Sequence, residues 1–149
     1  MADEKAPTAI KWMSFNEGLA AAKLSGKKIL IDAYTDWCTW CKKMDKDVYP
    51  NSKVVGLVSA KFVAIKLNAE GSDTITFRGQ KLTEMQFARS ARITGYPTTM
   101  FLESDGKPIS IVPGYLPPEK FTLVLDYFDG EHYKRGTFQD YLKLNPLKP

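Results

Sequence analysis

Apolar residues along this chain follow two alternating patterns, one extended and one helical. Compact apolar runs at Lys28–Tyr34 and 62–67 are bounded by polar or glycine residues, which favours strands buried on both faces. Between them lies a segment without Gly or Pro, 38–48, which favours a helix directly after the first strand. Strands that alternate with helices indicate parallel strand pairing.

Capping residues predict where several helices begin. Ser14 and Glu17 have the spacing of a capping box before a helix that stops at Gly26, and Thr83 with Gln86 repeats that spacing. Before the tail, the predicted helices are 14–25, 38–48, 54–60, 83–93 and 117–128.

A hairpin completes the predicted sheet. Asp105–Gly106 stands between two further apolar runs, Thr98–Leu102 and 108–112, and this dipeptide strongly favours a tight turn between antiparallel strands. Antiparallel strands added at the edge of a parallel pair give a mixed sheet. The predicted fold class is therefore α/β, with a mixed central sheet flanked by helices on both faces.

Two segments lie outside this minimal plan. Residues 69–82 form a long polar connection, which we interpret as an excursion that turns at Arg78–Gly79. The tail, 129–149, carries the capping residues Thr137 and Asp140 and predicts one short docked helix. We expect a single domain over 1–149, comprising an N-terminal helix (14–25), a core (26–128) and a C-terminal extension (129–149).

Composition narrows the class of protein. The chain has 149 residues, 44% of them hydrophobic, which suits one buried core. Its 21 basic and 17 acidic residues leave a net charge of +4, and the basic residues are scattered rather than gathered into a stripe, which argues against nucleic-acid binding. No apolar run approaches the roughly 20 residues of a membrane span, and the polar start predicts no signal peptide within these residues.

The two cysteines of the chain, Cys38 and Cys41, carry the candidate chemistry. Residues three apart on a helix are close enough for a disulfide. Cys38 falls at the predicted helix N-terminus, where unpaired N–H groups and the helix dipole lower a thiol pKa and make it a nucleophile. Cys41, one turn further and less exposed, is suited to resolve a mixed disulfide.

Other interpretations of the cysteine pair remain open. A zinc site needs two further ligands, and His132 is the only histidine, so no metal is expected. A purely structural disulfide would close a very short loop and restrict the unfolded chain little. Two inert buried cysteines are the third alternative. The position after a central strand favours redox activity over all three.

These residues resemble the thioredoxin superfamily. Residues 29–42 resemble its active-site strand and helix, and 95–98 resemble the loop whose proline is cis in that family. Lys66 and Gly114 also fall at family positions, so the resemblance covers about 26–128. It implies a thioredoxin fold with an inserted loop and a C-terminal helical extension.

Departures from ordinary thioredoxins narrow the resemblance. Thr39 and Trp40 replace the Gly-Pro pair between the cysteines, and 69–82 is inserted. These features are more similar to the thioredoxin-like proteins of the bacterial envelope, which include soluble domains of electron-relay reductases. The resemblance implies a periplasmic or other envelope location, with the cytoplasm as the alternative.

The resemblance also implies roles for two charged residues. Asp32 corresponds to a buried aspartate that assists proton transfer to and from the inner cysteine, here Cys41, and Lys66 corresponds to its charge partner. A solvent-facing Asp32 near the end of its strand remains the alternative.

Substrate contacts are implied around the cysteines. Pro97, at the entrance to a predicted edge strand, is expected to be cis and to pack against the disulfide, with the Tyr96 backbone pairing with an extended substrate. Trp37 and Trp40 are expected on an apolar rim where a partner binds, with core aromatics as the alternative. The remaining substrate-binding candidates are Thr39 and Gly114.

The sequence thus predicts a thiol-disulfide oxidoreductase that reduces protein disulfides. It needs disulfide-containing protein substrates and an upstream electron donor, uses no metal or organic cofactor, and is expected to be a monomer. A disulfide oxidase or isomerase and a non-catalytic partner-binding module are the alternative functions.

Overall fold

The computed structural model describes residues 7–146. The expectation of no signal peptide concerns residues that include 1–6, and the predicted extension includes 147–149; both of these stretches lie outside the described residues.

Strands and helices alternate through the first half of the chain. The strands are β1 (Trp12–Met13), β2 (Lys28–Tyr34), β3 (Phe62–Asn68), β4 (Thr74–Phe77), β5 (Gln80–Thr83), β6 (Thr98–Leu102) and β7 (Pro108–Pro113). The helices are α1 (Phe15–Ser25), α2 (Thr39–Asp47), α3 (Ser52–Lys61), α4 (Glu84–Ser90), α5 (Pro118–Asp129) and α6 (Phe138–Leu144), with a short 3-10 helix at His132–Lys134.

The central sheet has the predicted mixed character. Its strand order is β1-β3-β2-β6-β7. β3 runs parallel to β1 and β2, whereas β6 is antiparallel to both β2 and β7. This arrangement, with helices on both faces, confirms the thioredoxin fold class.

Strand β2 divides the core into two layers because successive side chains point to opposite faces. Leu30 packs with residues of α2, α3 and α5, and Ile29 and Ile31 pack with residues of α1 and α4. All three side chains are fully buried. A charged residue on this strand is therefore buried unless it lies at an end, which matters for Asp32.

The position of β6 differs from the sequence prediction. It is not an edge strand, because β7 pairs along its outer side and leaves all five of its residues buried. Pro97 therefore precedes an interior strand. The edge next to β3 is partly covered by β1, a strand too short for its pattern to be recognised in the sequence.

One of the three predicted capping boxes does not form. Ser14 Oγ donates a hydrogen bond to Glu17 Oε1 at 2.6 Å and makes no side-chain cap to the helix backbone. The Ser14 hydroxyl is thus oriented toward the Glu17 carboxylate and not toward the backbone N–H groups from which an N-cap accepts. The boxes that begin at Thr83 and Thr137 are present as predicted.

The inserted segment folds as the predicted excursion. β4 and β5 form a separate antiparallel pair that turns at Arg78 and Gly79, both with positive φ. Positive φ at both central residues is the geometry of a tight hairpin turn. Phe77 anchors the hairpin, with its ring centroid 5.9 Å from that of Phe15 and 5.0 Å from that of Phe87.

The C-terminal extension is docked on α5, as expected. The Tyr127 hydroxyl donates a hydrogen bond to the Gly136 carbonyl at 2.6 Å, and its ring lies edge-to-face with Phe138 and Tyr141 of α6. Within residues 7–146, no helix combines the length and the apolar character that crossing a bilayer requires.

Close packing between α1 and β3 generates a stability prediction. A Cβ atom at Gly18 would overlap the side chain of Ile65, which is fully buried. The overlap should cost about 1–3 kcal/mol, whereas alanine gains up to about 1 kcal/mol in helix propensity. We therefore expect Gly18→Ala to lower the free energy of unfolding. Urea denaturation measures this change.

The matched control is Gly56→Ala in α3, where the added Cβ would meet no atom within 4 Å apart from its chain neighbours and its own helix backbone. That change should be neutral or stabilise the protein by up to about 1 kcal/mol. Equal stability of the two variants would contradict the packing argument.

Candidate active site

The cysteine pair lies at the start of α2, shortly after the end of β2. Cys38 is the N-cap of α2 and its Sγ accepts a hydrogen bond from the Cys41 backbone N–H at 3.1 Å. The two cysteines form a disulfide, with their Cα atoms 5.3 Å apart. In the reduced protein, the same N–H would stabilise a Cys38 thiolate.

The expected contrast in exposure between the two cysteines is absent. Cys38 is 4% exposed and Cys41 is 3% exposed. Position on the helix, rather than exposure, distinguishes the two thiols: Cys38 caps the helix, and Cys41 faces inward with Met44.

Asp32 lies on the same face of β2 as Leu30, the face that α2 covers, and is only 2% exposed. The solvent-facing alternative for Asp32 is therefore wrong. Lys66 is its direct neighbour on β3, and Lys66 Nζ lies 2.5 Å from Asp32 Oδ2. Burial raises the Asp32 pKa above its ordinary value of 3.8, although Lys66 opposes the shift.

Lys66 is shared by two carboxylates. Its Nζ also lies 2.6 Å from Asp45 Oδ1, on α2 one turn beyond Cys41. Burial disfavours the ammonium charge, but Asp32 and Asp45 outweigh that effect, so the Lys66 pKa is raised above 10.5. The bridge ties β2 and β3 to the helix that carries the cysteines. Sequence analysis missed Asp45, although a residue four positions after Cys41 falls on the same helix face.

Aromatic rings surround the same ammonium group. Lys66 Nζ lies 4.8 Å from the ring centroid of Trp12, 5.1 Å from that of Tyr34 and 5.5 Å from that of Tyr49. Ring faces attract a cation at these distances. The N-terminal strand β1 therefore contributes to the site through Trp12, which the sequence did not indicate.

Three buried polar atoms beside this bridge have no hydrogen-bond partner among the described residues. They are Asp32 Oδ1, the Tyr49 hydroxyl and Thr99 Oγ1, and Thr99 is the register partner of Asp32 on β6. Burial raises the pKa of Tyr49 well above its ordinary value, so its hydroxyl stays protonated. The second oxygen of Asp32 is thus free to hold a proton.

The loop before β6 meets the loop after β7. The Tyr96–Pro97 peptide bond is cis, and the Gly114 N–H donates to the Pro97 carbonyl at 2.8 Å. Gly114 has a φ of 96°, a conformation that glycine adopts without steric cost. The structure therefore brings Tyr96, Pro97 and Gly114 together.

Four aromatic side chains form what we call the aromatic rim: Trp37, Trp40, Tyr96 and Tyr115. Trp37 is 64% exposed and Trp40 is 55% exposed, so the alternative of core aromatics is wrong. Trp37 lies edge-to-face with Tyr96 at 6.0 Å, and Trp40 lies 5.3 Å from Tyr115, measured between ring centroids. Thr39 is exposed between the two tryptophans. Tyr115 was not recognised in the sequence.

The inserted segment also reaches the rim. Trp37 Nε1 donates a hydrogen bond to Glu70 Oε1 at 2.8 Å. Sequence analysis did not identify Glu70, because a glutamate in a polar connection carries no signal of its contacts. Among residues 7–146, no three His, Cys, Asp or Glu side chains gather as a metal site requires.

Comparison with known proteins identifies the family. The thioredoxin-like domain family matches residues 15–129. The thiol:disulfide interchange protein DsbD of Pseudoalteromonas atlantica is 32% identical over 96 residues, which cover 64% of this chain and 15% of that protein. The chain spans less than a fifth of the length of this relative and of the Escherichia coli DsbD it also matches.

Solved structures share the fold. A thioredoxin-fold protein from Helicobacter pylori has a TM-score of 0.69 at 20% identity, over 80% of this chain and 84% of its own. A putative disulphide-isomerase from Bacteroides thetaiotaomicron has a TM-score of 0.63 at 26% identity, over 86% and 97% of the two chains. The chain therefore belongs to the thioredoxin-like domain family.

Proposed function

We propose that this protein reduces disulfide bonds in other proteins, with the Cys38–Cys41 pair as its redox group and no metal or organic cofactor. The observation that carries the proposal is the bonded pair at the N-terminus of α2, the helix that covers the face of β2 on which Asp32 is buried. The named DsbD relatives support an exchange reaction with protein disulfides.

The reaction begins with the reduced protein. The Cys38 thiolate attacks one sulfur of a substrate disulfide, so a Cys38–substrate bond forms as the substrate S–S bond breaks and releases one thiolate. The Cys41 thiolate then attacks the Cys38 sulfur, which forms the Cys38–Cys41 disulfide and releases the second substrate thiolate. Two electrons pass to the substrate, and the released thiolates take up two protons. An upstream dithiol donor restores the pair.

Asp32 is proposed as the proton acceptor for Cys41. A thiol must lose its proton before it attacks, and a buried carboxylate with a raised pKa is a stronger base than an exposed one. Lys66 is proposed to hold the Asp32 carboxylate in place through their short ion pair. Tyr49 and Thr99 add buried hydroxyl groups near this ion pair.

The partner surface is proposed to include the aromatic rim with Thr39, Pro97 and Gly114. Exposed tryptophans beside a nucleophile give a partner a large apolar contact. We further propose that the protein is a monomer that acts in the periplasm or another envelope compartment, as the resemblance to envelope thioredoxin-like proteins implies.

Replacement of either cysteine tests the order of attack. Cys41→Ser should accumulate mixed disulfides through Cys38, whereas Cys38→Ser should not, because only Cys38 caps the helix. Non-reducing gel electrophoresis after incubation with oxidised insulin measures the adducts.

Limiting iodoacetamide on the reduced parent protein is the companion measurement, read by mass spectrometry. Preferential alkylation of Cys41 at neutral pH would overturn the assignment of Cys38 as the attacking thiol.

Asp32→Asn should slow insulin reduction near neutral pH by about tenfold or more, because Asn cannot accept the Cys41 proton.

The Asp32→Asn variant should also change the pH dependence of the free energy of unfolding. A raised pKa disfavours the ionised carboxyl, so the parent protein loses free energy of unfolding as the pH rises through that pKa. The stability of the variant relative to the parent should therefore rise as the pH increases above the ordinary Asp32 pKa of 3.8.

Asp47→Asn is the matched control. Asp47 lies on α2 and pairs with exposed Lys43 at 3.0 Å, away from Lys66. It should leave both the rate and the pH dependence unchanged. An Asp32→Asn rate equal to that of the parent across about pH 6–9 would rule out the proton-transfer role.

The reduction potential tests the direction of the reaction. The cysteines have no His or Arg between them, and Lys66 is engaged by two carboxylates, so stabilisation of the thiolate should be moderate. We expect a potential of about −220 mV or lower. Equilibration in glutathione buffers, followed by the fluorescence of Trp37 and Trp40, measures it.

The variant without both cysteines should show no redox transition and serves as the control. A potential above about −160 mV would favour the oxidase or isomerase alternative. That alternative draws support from the similarity to a putative disulphide-isomerase.

A further inference from the structure

We infer that Glu70 is a positioning residue for partner binding: its carboxylate holds the Trp37 indole in the orientation that an incoming protein segment meets beside Cys38. The inference rests on the proposed function, because it concerns how a protein disulfide reaches the cysteine pair.

The Trp37 ring is restrained from two sides. Its Nε1 donates to Glu70 Oε1 at 2.8 Å, and its ring lies edge-to-face with Tyr96. Trp37 nevertheless remains 64% exposed. A large side chain that is both exposed and restrained offers a partner a preformed surface.

Glu70 projects from a turn that is itself fixed. The Ala69 N–H donates to the Tyr34 carbonyl at 2.8 Å, and the Glu70 N–H donates to Asn68 Oδ1 at 3.0 Å. The Gly71 carbonyl accepts from the Met85 N–H of α4 at 3.1 Å. The turn is thus tied to the end of β2 and to α4, so the carboxylate is presented from a defined place.

Trp40 provides an internal comparison. It is similarly exposed and lies against Tyr115, but no hydrogen bond from its indole is found among the described residues. The two tryptophans therefore differ in restraint. The Trp37 side chain is held in one orientation on the aromatic rim, whereas the Trp40 side chain is free to change its orientation when a partner binds.

Fixing Trp37 before binding favours association with an extended, disulfide-bearing segment. Ordering a flexible side chain at an interface costs free energy, and a side chain that is already ordered avoids that cost. Only a partner large enough to contact the indole gains affinity from this ordering. A small disulfide that reaches the sulfur alone should be indifferent to Glu70.

The experiment compares two substrates with the full chain. With dithiothreitol as donor, Glu70→Ala should raise the KM for insulin about three- to tenfold with little change in kcat. The rate at which the pre-reduced protein, separated from dithiothreitol, reduces the small disulfide 5,5′-dithiobis(2-nitrobenzoate) should be unchanged. Glu70→Gln keeps an oxygen acceptor for the indole and should restore most of the insulin KM.

Asp73→Ala is the matched control. Asp73 lies in the same connection and carries the same charge, and its side chain makes no hydrogen bond among the described residues. It should leave both substrates unaffected. A KM increase equal to that of Glu70→Ala would overturn the inference, because loss of charge alone would explain it.

A double-variant cycle tests whether Glu70 acts through Trp37. Trp37→Phe removes the indole N–H, so Glu70→Ala should have no further effect on the insulin KM in that background. Additive effects of the two changes, or an unchanged insulin KM in Glu70→Ala alone, would overturn the inference. Failure of the parent protein to reduce either substrate would instead refute the proposed function.

Discussion

A single positive charge organises the interior of this site. The Lys66 ammonium contacts one carboxylate on β2 and another on α2, and three aromatic rings enclose it. Asp32 is almost fully buried, and an isolated carboxylate at that position would be costly. Because Lys66 compensates this charge only in part, Asp32 remains on the sheet with a raised pKa. The ion pair thus permits a titratable group directly beneath the cysteine helix.

The geometry of β2 explains why one short segment supplies both chemical groups. Alternation along the strand points Asp32 to the face that α2 covers, and the strand then ends so that Cys38 can cap that helix. Both groups depend on the register with β3, which sets Lys66 opposite Asp32. A slip of one residue would turn Asp32 to the other face and separate it from α2.

Sequence reasoning recovered the elements with strong local signals and missed those that depend on distant contacts. The run at β2 and the capping residue Thr83 predicted their elements, because periodicity and capping are local. The interior position of β6 depends on its pairing with β2 as well as with β7, and the contact with β2 joins segments that are far apart in the chain. Asp45 and Glu70 are ordinary surface residues until the fold sets one beside Lys66 and the other beside Trp37.

The residues of the redox centre and the residue that restrains Trp37 lie in different parts of the chain. Cys38, Asp32 and Lys66 lie on elements of the shared fold, whereas Glu70 begins the connection that leads into the β4–β5 hairpin. The hairpin packs through Phe77 on α1 and α4, which cover the face of the sheet opposite to Asp32. Changes in this connection can therefore alter the partner surface while leaving the ion pair and the cysteines in place. In the proposed function, the chemistry thus depends on the sheet, whereas recognition of a partner depends on the loops that surround it.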